Sequence, residues 1–334
     1  MAPDVKPPHQ ERDVRIDMLK GFGIICVVVT HVAIYEQHFS SLWVKTIYSF
    51  HMPLFFFLSG YLSVIRQNYS HFFIEKFGQL LIPYAVYFAG IFVVNKLVGR
   101  DDCGWQCLLL GGRYAYNYLG VFWFVPVLFL TQQVGNFLLF RFSVPVNMLI
   151  IVGMLCVSFL NDQYFDMFKF PHNVNVVLAA VPFYFCGFLV RHHKMVVKIG
   201  GALIAAACGA GLVIAGYPNY YDMKNAFYGI PFVTFGSALA SVAVLVYVFS
   251  NLPRWGLLVD IGKASLVIMY LHQGIQIFIF DHFTESIALR LVVATFVPLS
   301  VYYLSLRWSV TRALLLGSGR DLAGLRSYLM VMLR

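Results

Sequence analysis

Residues 15–35 read RIDMLKGFGIICVVVTHVAIY. Between Lys20 and His31 no residue carries a charge, and a hydrocarbon core about 30 Å thick needs roughly 20 such residues per helix. The run from 19 to 35 is therefore read as a membrane span. The same rule places nine more near 48–65, 77–98, 118–140, 144–160, 174–190, 197–216, 229–250, 259–280 and 287–306. Composition agrees, because 60% of the 334 residues are apolar and 12% charged, against about 25% charged in a soluble domain. The segments lack the short alternation of a membrane barrel, and backbone satisfaction in lipid leaves only helices or closed barrels. The expected fold class is all-α: a polytopic membrane protein of about ten helices. Residues 19–306 form its membrane domain and 1–18 a polar leading segment. The basic tail, 307–334, spaces its Arg and Leu as an amphipathic helix on the membrane surface would.

With the N-terminus placed in the cytoplasm, 17 of the 24 Lys and Arg residues fall on the inner side. That is the asymmetry of a cytoplasmic-positive topology, with both ends inside. The net charge of +9 then reads as a collar facing anionic membrane lipid, and no nucleic-acid partner is expected. The first span follows a polar segment with no small-residue cleavage pattern, which reads as a signal anchor. Cys26, Cys156, Cys186 and Cys208 lie inside spans and read as small hydrophobes. Cys103 and Cys107 share an outer loop, so a local disulfide is open to them; a zinc site would need more ligands than that loop holds.

The longest loops, 99–117, 161–173 and 217–228, fall on the outer side. They include GGRYAYNY and GYPNYYDMKN. Their Tyr, Asn and Asp suit stacking on, and hydrogen bonding to, a polyhydroxylated ligand; an aromatic belt at the interface accounts for them equally well.

Ionisable groups inside a span are costly and so draw attention. Lys20 and His31 are eleven residues apart, three helical turns plus roughly 20°, so they share a face about 16 Å apart along the axis. Lys263 and His272 are nine apart, about 13 Å, and fall on opposed faces unless the helix bends or the lysine snorkels. Ser59 and Gly60 lie roughly 12 Å beyond His51 along the second span. His31, Ser59 and His272 are therefore expected at similar depth, with Lys20 and Lys263 beneath them and Arg66 and Lys76 nearby. A neutral imidazole could take a proton from an attacking hydroxyl. The cations could hold the phosphates of a carrier such as coenzyme A, and polar donors could stabilise a thioester oxyanion. Plainer readings stand beside each: a histidine bonding two helices, a snorkelling boundary lysine, a small-residue packing notch.

At these residues the sequence resembles the membrane acyltransferase 3 family, bacterial O-acyltransferases of surface glycans. RIDMLKGFGIICVVVTH carries that family's pattern of a basic residue, ten residues, then His. IYSFHMPLFFFLSGYL at 47–62 is similar to its most recognisable stretch, and LLIPY at 80–84, FWFVPVLFL at 122–130 and SLVIMYLHQGI at 265–275 match further. The wording is most similar to the branch related to fucose 4-O-acetylases. The resemblance implies acetyl-CoA as donor co-substrate, a glycan or lipid-linked saccharide as acceptor, no metal, and residence in a bacterial inner membrane. It implies His31 as the essential base, with Ser59 and His272 expected beside it. Lys20, Arg66, Lys76 and Lys263 are expected at the donor, and His51 and Trp123 at the acceptor. One departure stands out: where many members carry two Arg residues three apart, this chain reads EKFGQLLIPY. Lys76 and Gln79 occupy that region, and of those two only Lys76 keeps a charge. A transporter or flippase of a lipid-linked saccharide is the rival expectation, although Pro and Gly do not recur in matching positions of two halves.

Overall fold

In lipid the backbone N–H and C=O groups have no partner but each other, so each apolar run closes its own hydrogen bonds as a helix. The computed structural model describes residues 13–35, 38–97, 99, 104–165, 168–193, 198–283 and 285–332. In chain order its helices are α1 Val14–Tyr35, α2 Leu42–Tyr48, α3 His51–Tyr61, α4 Tyr69–Lys76 and α5 Ile82–Leu97, with a π-helical turn Phe77–Leu81 joining the last two. Then come α6 Trp105–Leu110, α7 Phe124–Arg141, α8 Val144–Phe165, α9 Val177–His192, α10 Ile199–Ile214 and α11 Val233–Asn251. The set closes with α12 Gly256–Lys263, α13 Ser265–His282, α14 Ile287–Ser305, α15 Ser309–Leu316 and α16 Gly319–Met332.

Every expected span coincides with helix, but not every one runs full length. Among the described residues seven helices, counting continuous pieces such as Tyr69–Leu97, are long and apolar enough to cross a membrane. The α12–α13 pair passes that test together but bends by 80°. The two other expected spans are short: α3 has 11 residues and α10 has 16. At 1.5 Å per residue α3 reaches only about 16 Å. Hydropathy counts apolar residues without asking what surrounds them. Most of α3 is buried in protein, not lipid, where a short helix can find backbone partners from its neighbours.

Glycine sets how closely the central helices approach. A Cβ on Gly60 of α3 would run into the Tyr184 carbonyl of α9, and one on Gly187 of α9 into the Phe57 carbonyl of α3. The α1–α12 contact has the same construction, with Gly21 against the Leu258 carbonyl and Gly262 against that of Asp17. Small residues that let backbones touch are how helices associate where lipid supplies no hydrophobic drive. Helices α1, α7 and α9 bury most of their residues, while α5, α8 and α14 bury fewer than a third. The tail folds as two helices, because Gly317 adopts a left-handed conformation between α15 and α16 and packs on the Gln79 backbone. Arg312 grips Asp321 through two bonds of 2.8 and 3.0 Å. The expected partner of Cys107, Cys103, lies outside the described residues.

Candidate active site

Two cavities with polar linings lie along α1, one towards each end. The first, about 450 Å³, is bordered by Lys20, Ser59, Arg66, Lys76, Gln132 and Met269. Here a helix-breaking feature positions charge: α4 ends in the π-helical turn directly after Lys76, and such turns recur at functional sites. Lys76 Nζ donates to Gln79 Oε1 at 2.9 Å, and Gln79 Nε2 to Glu75 Oε1 at 3.2 Å. Asn136 on α7 clasps the Arg66 backbone, accepting from its N–H at 2.8 Å and donating to its carbonyl at 3.1 Å. Ser59 accepts from Gln132 Nε2 at 3.0 Å. Lys20 lies 4.0 Å from Asp17 one turn before it.

The second cavity, about 480 Å³, takes in His31, His51, Trp123, Lys224, Gln273 and Gln276 among its walls. His31 and His272, 241 positions apart in sequence, meet there at 2.8 Å between Nδ1 and Nε2. His272 is fully buried, and its Nδ1 lies 2.8 Å from the Ile268 carbonyl. A carbonyl only accepts, so His272 Nδ1 carries the hydrogen and its Nε2 a lone pair. In the neutral pair His31 must then donate through Nδ1, which leaves His31 Nε2 with a bare lone pair. His51 follows the same logic, its Nδ1 lying 2.9 Å from the Ile47 carbonyl.

The structure thus joins His31 to His272 and puts His51 and Trp123 around the same cavity. Ser59 lies elsewhere, bordering the first cavity with Lys20, Arg66 and Lys76. Lys263 borders neither; it lies 3.1 Å from Asp260, just before the 80° bend. Phe124 and Met269, both buried, line both cavities and so form the wall between them.

Several residues in the second cavity went unremarked in the sequence. Gln273 and Gln276 follow His272 within about one turn of α13, and amides in an apolar span were the available signal. Lys224 read only as one more outer-loop cation, although its loop, GYPNYYDMKN, does border the cavity through Tyr221, Asp222 and Lys224. Arg290 is fully buried and donates to Gln276 Oε1 at 2.5 Å. It also stacks on Phe280 at 4.7 Å and on Tyr35 at 5.5 Å. Among the described residues no group of three or more His, Cys, Asp or Glu is placed to hold a metal ion.

Long apolar helices around a hydrogen-bonded imidazole pair define a multi-pass membrane protein with a polar site in its interior. The family model described as "Acyltransferase domain" matches residues 13–307, and the chain belongs to that family. It is a membrane O-acyltransferase. The nodulation protein NolL of Mesorhizobium japonicum is 26% identical over 293 residues, covering 79% of this chain and 76% of its own length. NolL of Sinorhizobium fredii is 27% identical over 298 residues, 79% of this chain and 77% of its own. No solved structure matches the chain.

Proposed function

We propose that the protein moves an acetyl group from acetyl-CoA to a hydroxyl of a surface or lipid-linked glycan, in a bacterial cytoplasmic membrane. The single observation that carries this reading is the hydrogen-bonded series Ile268 carbonyl, His272, His31. It leaves His31 Nε2 as a base directed by a fixed partner, the arrangement that orients imidazole bases in other acyl transfers.

In this reading the donor's phosphates lie with Lys20, Arg66 and Lys76 in the first cavity, reached from the cytoplasm. The acceptor occupies the second cavity, whose aromatic rings and amides suit a sugar, with His51 and Trp123 among its contacts. The hydroxyl oxygen attacks the thioester carbonyl as its proton passes to His31 Nε2. Collapse breaks the C–S bond, and the same proton leaves on the coenzyme A thiol. His272 stays neutral throughout and accepts from His31 Nδ1–H, which stabilises the imidazolium while it exists. The two carriers must reach one another past Phe124 and Met269, whose side chains have to move aside.

The test is glycan acetylation in cells carrying His31→Ala at normal protein level. A positioned base contributes about 10²–10⁴-fold, so acetylation should fall by that order. Full acetylation would refute the role of His31, and acetyl-CoA binding without release of free coenzyme A would refute the transferase reading itself.

A further inference from the structure

Gly120 follows the short turn Asn117–Leu119 with an ordinary φ of −60°, so nothing in its backbone requires glycine. What marks the position is the pair of side-chain ends that meet over it. The point where a Cβ would stand lies 3.0 Å from Lys224 Nζ and 3.0 Å from Gln273 Nε2. Two N–H donors from segments far apart in sequence, the loop before α11 and the residue after His272, therefore gather over one bare backbone position. Both being 3.0 Å from a single point, they are at most about 6 Å apart, with the Asn117 carbonyl oxygen 3.2 Å from the same point; that point is one bond length from the Gly120 Cα, so an oxygen that accepts from both approaches them from the cavity side. All three residues border the cavity that holds His31.

We propose that Lys224 and Gln273 are the oxyanion-stabilising pair of this acyltransferase. The proposal rests on the reading of His31 as base. As the acceptor oxygen bonds to the thioester carbon, the carbonyl π pair moves onto the carbonyl oxygen, which Lys224 Nζ and Gln273 Nε2 hold. The acceptor's proton goes to His31 Nε2. When the carbonyl reforms, the C–S bond breaks and the sulfur takes that proton, so neither donor gives up a proton over the cycle. A lysine ammonium and a neutral amide suit a charge that exists only in the transition state and the intermediate. Gly120 admits the pair because a side chain there would push between them.

Lys224 works only while protonated. Burial lowers it to about 8, partly offset by Asp222. The other charged and titratable groups around it are Asp222 and Tyr221 on its own loop, and His31, Tyr35, Tyr48 and His51 across the cavity. Arg113, Tyr114 and His172 sit on the loops packed behind. None of these types ordinarily titrates near 8, so an alkaline limb there reports Lys224.

The experiment adds radiolabelled acetyl-CoA to membranes of a host that lacks its own copy and carries each variant, and follows label entering the glycan fraction. Lys224→Met should lower the rate about 10²–10³-fold with the KM for acetyl-CoA unchanged. In the parent protein the rate should fall as pH rises through about 8; in Lys224→Arg, which stays charged, that limb should disappear. Gly120→Ala should lower the rate while leaving the melting temperature in place. A parental rate for Lys224→Met, or an unmoved alkaline limb in Lys224→Arg, would overturn the proposal. If Lys224→Met fails to accumulate, the pH profile of Lys224→Arg decides alone. Loss of activity in His31→Ala with full activity in Lys224→Met removes this pair only, whereas full activity in His31→Ala removes the base on which it depends.

Discussion

At the scale of single residues the site is an exercise in tautomers. Ile268 offers only a carbonyl oxygen, so it dictates which nitrogen of His272 holds hydrogen, and His272 in turn dictates His31. In the proposed mechanism His272 is a positioning residue, and its removal should be read in kcat. His272→Ala should lower kcat by as much as the about 10²–10⁴-fold worth of a placed base, with KM for acetyl-CoA little changed. His272→Gln, whose amide oxygen can still accept from His31 Nδ1, should recover much of that loss. Initial rates of the two variants over a range of acetyl-CoA concentrations check both statements. The Lys20–His31 spacing was legible in the sequence because both residues ride one helix with a known pitch. The His31–His272 contact was not, since depth arithmetic can put two residues at one level without saying that their helices face each other. Ser59 shows the limit from the other side. Counting along α3 put it level with His31, but a buried 11-residue helix has no fixed relation to the bilayer surface, and Ser59 borders the other cavity.

At the scale of elements, the glycine crossings are what hold the wall of the first cavity in place. Gly60 and Gly187 let α3 and α9 touch backbone to backbone, and Ser59 and Tyr184, which border the first cavity, sit directly beside that crossing. Gly60→Ala or Gly187→Ala should destabilise the protein by at least the about 1–3 kcal/mol typical of overpacking, because the obstacle is a carbonyl and not a flexible side chain. Thermal unfolding in detergent should show the drop, whereas alanine at Gly153 or Gly200, where a Cβ meets nothing within 4 Å, should leave the midpoint unchanged. Hydropathy made the helices legible, because an apolar run of sufficient length has no other way to satisfy its backbone. It could not reveal the break at Ala264. That break depends on α12 lying across α1 through Gly21 and Gly262, a fact about a partner helix and not about the local run. The opposed phases of Lys263 and His272 were its one trace in the sequence.

At the scale of the whole molecule, the tail ties the last helices to the first cavity. Gly317 packs on Gln79 and Leu322 approaches Gly78, both within the turn that follows Lys76. Arg312 and Ser318 donate to Asp321 and hold its carboxyl at about 2. A carboxylate held below its usual value of about 3.9 supports the folded state at pH above that value, and the support fades as pH drops through the lowered one. Tail docking should therefore be constant through the neutral range and loosen only below about pH 4, while Arg312→Ala should loosen it at every pH. Hydrogen exchange over 309–332 measures both.

The wall shared by Phe124 and Met269 has a consequence for the cell as well as for the chemistry. Two cavities with polar linings, joined end to end through a membrane protein, would be a conduit for protons and ions. With apolar side chains closing the junction, permeation by small ions is blocked where hydration cannot follow them. If the two substrates enter from opposite faces of the bilayer, as proposed, this layout lets them meet without discharging the electrochemical gradient that the bilayer maintains.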